Sequence, residues 1–92
     1  MLATRTMAEE IYWVYVLRLV NGRKYVGHTN DLDRRIQEHL DGRSPYTRRH
    51  KVKELIYYEQ YYSRSEAMRR EKFLKSGKGR EWLKQRLAEH SA

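Results

Sequence analysis

The sequence predicts an α/β (α+β) fold: a small three-stranded, mainly antiparallel sheet flanked by helices, in the order β-β-α-β-α-α. Three observations carry that prediction. Residues 11–19 and 55–62 are dense in β-branched and aromatic side chains, as strands are. An Asn21-Gly22 pair follows the first of these segments and marks a hairpin turn. Further along, apolar residues recur every three or four positions behind polar capping residues, the pattern of amphipathic helices.

The first strand, residues 11–19, reads Ile-Tyr-Trp-Val-Tyr-Val-Leu-Arg-Leu. Both alternating sets are apolar, so it is expected at the centre of the sheet. Residues 23–27 form the returning strand. A strict two-residue turn would pair Leu17 with Val26 and put Tyr15 and Tyr25 on opposite faces. A three-residue loop with a bulge at Gly22 would pair Leu17 with Tyr25 and bring both tyrosines to one face. The bulged form is the one expected here.

Thr29-Asn30 offers the N-cap of the first helix, and Asp31 and Asp33 favour its first turn. Leu32, Ile36 and Leu40 give it an apolar stripe. Gly42 suits the left-handed residue that closes a helix. Residues 43–53 read as a basic loop around Pro45. After the third strand, Ser63-Arg64-Ser65-Glu66 is a capping box. Its helix is expected to stop near Gly77 or Gly79. A last helix covers about residues 80–89, with Trp82, Leu83, Arg86 and Leu87 along one side. Trp13, Met68 and Phe73 are core candidates. Tyr57, Tyr58, Tyr61 and Tyr62 read as packing residues, and His50 and His90 as surface residues. Residues 11–90 are expected to form one domain behind a flexible leader, residues 1–10, which carries no apolar run of the secretory kind.

Composition narrows the function. Twenty Lys and Arg against twelve Asp and Glu give a net charge of +8, which makes a polyanion the natural partner. No apolar run approaches the roughly 18–20 residues of a membrane span. Cysteine is absent, which excludes disulfides, thiolate zinc sites and a cysteine nucleophile and suits a cytoplasmic location. There is no phosphate-binding glycine loop, no dinucleotide fingerprint, no HExxH and no serine elbow.

What stands out instead is a set of polar side chains in costly places. Tyr15 and Tyr25 lie inside strands. Arg35 and His39 are one helical turn apart and share a face. Glu71 falls between Ala67 and Leu74 on an apolar helix face. A buried carboxylate needs a partner: a cation, a metal ion, or Lys75 one turn further on.

Four pieces of the sequence, in order and in spacing, resemble the GIY-YIG nuclease domain: Trp13-Val14-Tyr15; Tyr25-Val26-Gly27; Asn30-Asp31-Leu32-Asp33-Arg34-Arg35-Ile36-Gln37-Glu38-His39; and Glu66-Ala67-Met68-Arg69-Arg70-Glu71-Lys72-Phe73-Leu74-Lys75. The stretch Pro45-Tyr46-Thr47-Arg48-Arg49-His50 is similar to the small standalone bacterial members, of the UPF0213 or UvrC N-terminal type. The resemblance spans about residues 11–82. It implies a metal-dependent endonuclease that hydrolyses phosphodiester bonds of DNA with weak sequence preference, in DNA repair or recombination. It makes Tyr15 and Tyr25 the motif tyrosines, and Arg35 the arginine four residues before the motif histidine, His39. Glu71 becomes the ligand of one divalent ion, Mg²⁺ or Mn²⁺. His28 follows the second motif's glycine. Tyr25 would act as general base or orient the water, with Tyr15 assisting, and Arg35 would brace the phosphate. The chain departs from the family pattern in reading Trp-Val-Tyr for Gly-Ile-Tyr and in having no asparagine after the glutamate helix.

The remaining cations supply the substrate half. Residues 64–86 hold nine Lys or Arg against three Glu, most of the chain's excess charge. Arg48, Arg49 and Lys51 of the basic loop, with Arg70, Lys75 and Lys78, are candidates for contact with a phosphate backbone. The expected partner is DNA, with RNA as the alternative, and the expected state a monomer or weak homodimer away from membranes. Two other readings stay open: a binding module that keeps the fold without catalysis, and a basic ribosome-associated protein.

Overall fold

A three-residue loop decides which side chains share a face of the sheet. The computed structural model describes residues 10–91, with side chains to Glu89. The leader expected over residues 1–10 therefore lies outside the described residues except for Glu10, as does the side chain of His90. Strand β1 is Tyr12–Leu19 and strand β2 is Lys24–Thr29. Between them Gly22 takes a positive φ of 90°, and its N–H donates to the Leu19 carbonyl at 2.9 Å. Only glycine adopts that conformation without steric cost. The Asn21 side chain accepts from the Arg23 N–H at 2.9 Å. Leu17 consequently pairs with Tyr25, and Tyr15 with Gly27, as the bulged hairpin requires.

Strand β3, Val52–Tyr61, pairs antiparallel with the other side of β1, so the sheet order is β2-β1-β3. Irregularities between Val16 and Leu17 and between Arg18 and Leu19 reset that register. The central strand has no exposed residue. On one face Tyr12, Val14, Val16 and Val26 meet Ala67 and Leu74 of helix α3, Arg64–Lys75, and Leu83 of helix α4, Gly77–Ser91. On the other face Tyr15 and Tyr25 meet His39 of helix α1, Leu32–Leu40.

Several expectations need correction. The cap of α1 is Asp31, whose carboxylate accepts from the Arg34 N–H at 3.2 Å; Thr29 ends β2 instead. The stripe of α1 is rotated. Leu40 is 54% exposed, while His39 is 1% exposed. A polar ring is tolerated there because Tyr15 and Thr47 both hydrogen-bond it. Gly42 does close α1, at φ 73°: its N–H donates to His39 and that of Arg43 to Glu38, the paired bonds of a Schellman motif.

The basic loop contains a short helix α2, Pro45–Arg49, started by Ser44 and by proline in its first turn. Ser63 caps α3 by accepting from the Glu66 N–H at 3.2 Å. Gly79 does not stop a helix. Helix α3 ends at Lys75, Ser76 bridges with its hydroxyl donating to Phe73 O at 2.6 Å, and Gly79 lies in the first turn of α4. Met68, at 50% exposed, is not core. Phe73 packs against the core and Trp13 sits half-buried, edge-on to Tyr58. His50 is not a bare surface residue, since its ring stacks on Tyr46 with centroids 4.6 Å apart.

Candidate active site

Tyr15, at the middle of the central strand, points its buried phenol toward β2 and lies over Gly27. Its hydroxyl is 2.9 Å from His39 Nε2. The Tyr25 ring closes the group, 6.3 Å from Tyr15 and 5.0 Å from His39 between centroids. Tyr46 continues the stack, 5.2 Å from Tyr25. Among the described residues the Tyr25 hydroxyl makes no hydrogen bond. Arg35, one turn before His39, stands beside the Tyr15 hydroxyl, with its Nη1 donating to Glu38 Oε1 at 2.8 Å.

Burial sets the protonation of this group. It pushes the Tyr15 phenol up to about 12; Arg35 beside it works the other way, and the charges of Tyr25 and Glu71 oppose ionisation. Burial also brings the His39 imidazole down to about 4, helped by the positive Arg35, so the ring is neutral near pH 7. The bond to Glu38 holds the Arg35 guanidinium firmly charged, and the same bond lowers the Glu38 carboxyl.

Glu71 enters from α3, on the far side of the sheet. Successive residues of β2 point to opposite faces, so Gly27 lies under Tyr15 while His28 turns to α3. His28 Nδ1 is 2.6 Å from Glu71 Oε1, and Lys75 Nζ donates to Oε2 at 2.5 Å. Burial works to raise the Glu71 carboxyl, but the bonds from Lys75 and His28 outweigh it and the group is lowered. β2 is an edge strand, and the charge of Glu71 reaches Tyr15. The structure therefore brings Tyr15, Tyr25, Arg35 and His39 together on one face, with Glu71 and His28 paired just across that edge.

Among the described residues no three His, Cys, Asp or Glu side chains gather around one point. A hydrated Mg²⁺ does not need them; it binds through one or two carboxylates and keeps several waters. Glu71 is an ionised, half-buried carboxylate whose Oε2 is held only by an exposed lysine arm. It fits such an ion.

The expected backbone contacts divide. Arg48, Arg49, Lys51 and Lys78 are exposed and form no ion pair among the described residues. Arg70 is engaged internally. It grips Glu59 with Nε at 2.9 Å and Nη2 at 3.0 Å, while Tyr57 and Tyr61 donate to the same carboxylate and the guanidinium lies over Trp82. Lys75 is the partner of Glu71 and also borders a groove. That groove, about 770 Å³, runs between the hairpin tip and the α3–α4 junction. Val26, Leu74 and Leu83 form its floor, Tyr25 and Tyr46 its wall, and Arg23, Lys24, Lys75, Arg80 and Lys84 its cationic rim. Arg80 and Lys84 belong to the basic stripe of residues 64–86 expected on the phosphate backbone, whereas Arg23 escaped the sequence reading, although the Arg23-Lys24 pair beside the turn was its signal.

Residues 11–85 match the GIY-YIG catalytic domain. The chain belongs to the GIY-YIG family. It is 38% identical over 66 residues to a UPF0213 protein of Bacillus pumilus, covering 71% of this chain and 67% of that one. It is 39% identical over 66 residues to a UPF0213 protein of Natronomonas pharaonis, covering 71% and 78%. The solution NMR structure of a UPF0213 protein from Bacillus halodurans has 37% identity and a TM-score of 0.52, covering 82% of this chain and 83% of that one. GIY-YIG is a nuclease family, and its relatives here are small UPF0213 proteins. Among the described residues, no helix is long and apolar enough to cross a membrane.

Proposed function

We propose that this GIY-YIG chain is a metal-dependent endonuclease that hydrolyses phosphodiester bonds of DNA with weak sequence preference, in repair or recombination. It acts in the cytoplasm as a monomer or weak homodimer. One observation carries the reading: Tyr25 belongs both to the Tyr15–His39 cluster and to the wall of the cationic groove. A strand held on that rim passes the Tyr25 ring, at the edge of the cluster that holds Tyr15 and Arg35. The rim meets the phosphate backbone rather than base edges, which accounts for weak sequence preference.

The residues divide the work. Tyr25 has the hydroxyl open to a water or a phosphate, and it orients the attacking water or takes its proton. Tyr15, with its phenol near 12, stays protonated and holds the arrangement. Arg35 faces the charge that builds on the phosphate, through a guanidinium already oriented by Glu38. Glu71 would hold the divalent ion, Mg²⁺ or Mn²⁺, with His28 fixing the carboxylate's other oxygen. Such an ion supplies Lewis-acid neutralisation of the phosphate and the leaving oxygen.

The test is nicking of supercoiled plasmid with Mg²⁺ or Mn²⁺ by wild type, Glu71→Ala and Arg35→Ala. Loss of nicking in both variants is expected. Equal nicking by all three refutes the assignment. A second reading has its own observation. Both oxygens of Glu71 are already occupied, by His28 and Lys75, as suits a binding module without catalysis. Salt-sensitive DNA binding with no nicking under either metal favours that reading.

A further inference from the structure

His39 is buried between two hydroxyls, and hydroxyl protons are countable. Its Nδ1 is 3.0 Å from Thr47 Oγ1, and its Nε2 is 2.9 Å from the Tyr15 hydroxyl. Thr47, 2% exposed in α2, donates its proton to the Ser44 carbonyl at 3.4 Å. This is the back-bond that threonine makes to the preceding turn. A hydroxyl has one proton to give. The Ser44 contact is the longer of the two, and the Tyr15 hydroxyl decides. Tyr15 is 1% exposed, its other polar neighbour Arg35 has only donors, and His39 Nε2 is the acceptor its proton meets among the described residues, so Nδ1 carries the ring hydrogen and gives it to Thr47. A neutral imidazole has a single N–H, so Nε2 then offers a lone pair, and the Tyr15 hydroxyl donates to it.

We infer that Thr47 is a positioning residue: it fixes His39 in the Nδ1–H tautomer and so directs the Tyr15 proton inward, leaving the phenol's lone pairs to Arg35. Burial supports the neutral ring this requires. The tautomer follows from the hydrogen bonds alone. Only its effect on hydrolysis rests on the nuclease reading. That effect is a division between the phenols. Tyr15 has no proton to give a substrate and can only accept, while the Tyr25 hydroxyl, which makes no hydrogen bond among the described residues, is left to meet the water.

The test is the ¹⁵N spectrum of the histidine side chains in the full-length protein at pH 7, with His39 identified by its loss in His39→Asn. Wild type and Thr47→Ser are expected to show protonated Nδ1. In Thr47→Val, which keeps the shape and removes the acceptor, the Nε2–H form is expected to predominate. Nicking by Thr47→Val should fall on the order of tenfold or more in kcat with KM within about twofold, and Thr47→Ser should restore it, since a wrongly held tautomer disables an otherwise intact histidine. Protonated Nε2 in the wild type overturns the inference, and so does Nδ1–H persisting in Thr47→Val. If the valine variant does not fold, Thr47→Ala, which also lacks the hydroxyl, is read in its place with the same expected and overturning results. A wild type that never nicks refutes the nuclease reading, and the spectrum still decides this one.

Discussion

Gly27 is the floor on which Tyr15 rests: a Cβ built on Gly27 would stand 2.6 Å from the tyrosine oxygen and 3.2 Å from Cε1 of Tyr25. No real Cβ sits that close, so the second motif's glycine is set by the ring that lies above it. A glycine inside a strand ordinarily costs stability, about 0.5–1 kcal/mol relative to alanine. Here the sign reverses. Gly27→Ala is expected to lose about 1–3 kcal/mol by overpacking. It should also displace both phenols and abolish nicking. Chemical denaturation measures the first effect, and a stabilised variant would contradict it.

Gly79 gives a second reversal. Alanine is better than glycine within helices by about 1 kcal/mol. At Gly79, however, a Cβ would stand 1.8 Å from the Phe73 carbonyl oxygen, which is backbone and cannot turn aside. Gly79→Ala is expected to cost a few kcal/mol of stability, read as a lower denaturant midpoint. Gly77→Ala, with nothing within 4 Å of the added carbon, should leave it unchanged or raise it. Equal behaviour of the two variants would contradict the steric conflict at Gly79.

The buried histidine makes stability depend on pH. Unfolded, His39 titrates near 6.5; folded, near 4. Between those values the unfolded chain binds a proton that the folded chain does not, so stability rises with pH there. Acidification from about pH 6.5 toward pH 4 should therefore remove up to roughly 3 kcal/mol. The lowered carboxyls Glu59 and Glu71 act in the same direction further into acid. Urea unfolding at pH 7.0, 6.0 and 5.0 measures the slope. His39→Gln should flatten it above pH 5, and an unchanged slope in that variant would assign it to other groups.

The two classes of arginine separate by salt. Arg70→Ala leaves the half-buried Glu59 without its guanidinium partner, at an expected cost of about 2–4 kcal/mol, and changes the salt dependence of DNA binding little. Arg23→Ala with Lys84→Ala should do the opposite. Stability stays within about 0.5 kcal/mol. The slope of log K against log salt falls by about 0.9 for each phosphate that the variant no longer neutralises. Binding titrations between 50 and 200 mM salt measure it. A steep fall in slope with Arg70→Ala alone would restore that arginine as a DNA-binding residue.

The hairpin was legible from local chemistry, because Asn21-Gly22 marks the turn. Its register was not, because the same pair suits a two-residue turn, and the three-residue loop was favoured only for bringing the two tyrosines to one face. The N-caps of α1 and α3 were legible to within two residues because they too are local. What escaped depends on distant partners. Nothing near Arg70 announces Glu59, eleven positions earlier on a strand. Leu40 was expected inside because apolar spacing cannot see that Tyr15 and Thr47 wait to bond His39. Gly79 carries the ordinary mark of a helix end, and only the carbonyl of the preceding helix explains it. Helix α2 was hidden among cations, although Ser44-Pro45 is a sound start signal.

The seat of Gly79 on Phe73 has a mechanical consequence. It lets the first turn of α4 close onto the end of α3, and that elbow is one bank of the cleft beside Tyr25. A side chain at that position would force the two helices apart and reshape the cleft, so the outline of this bank hangs on one absent carbon.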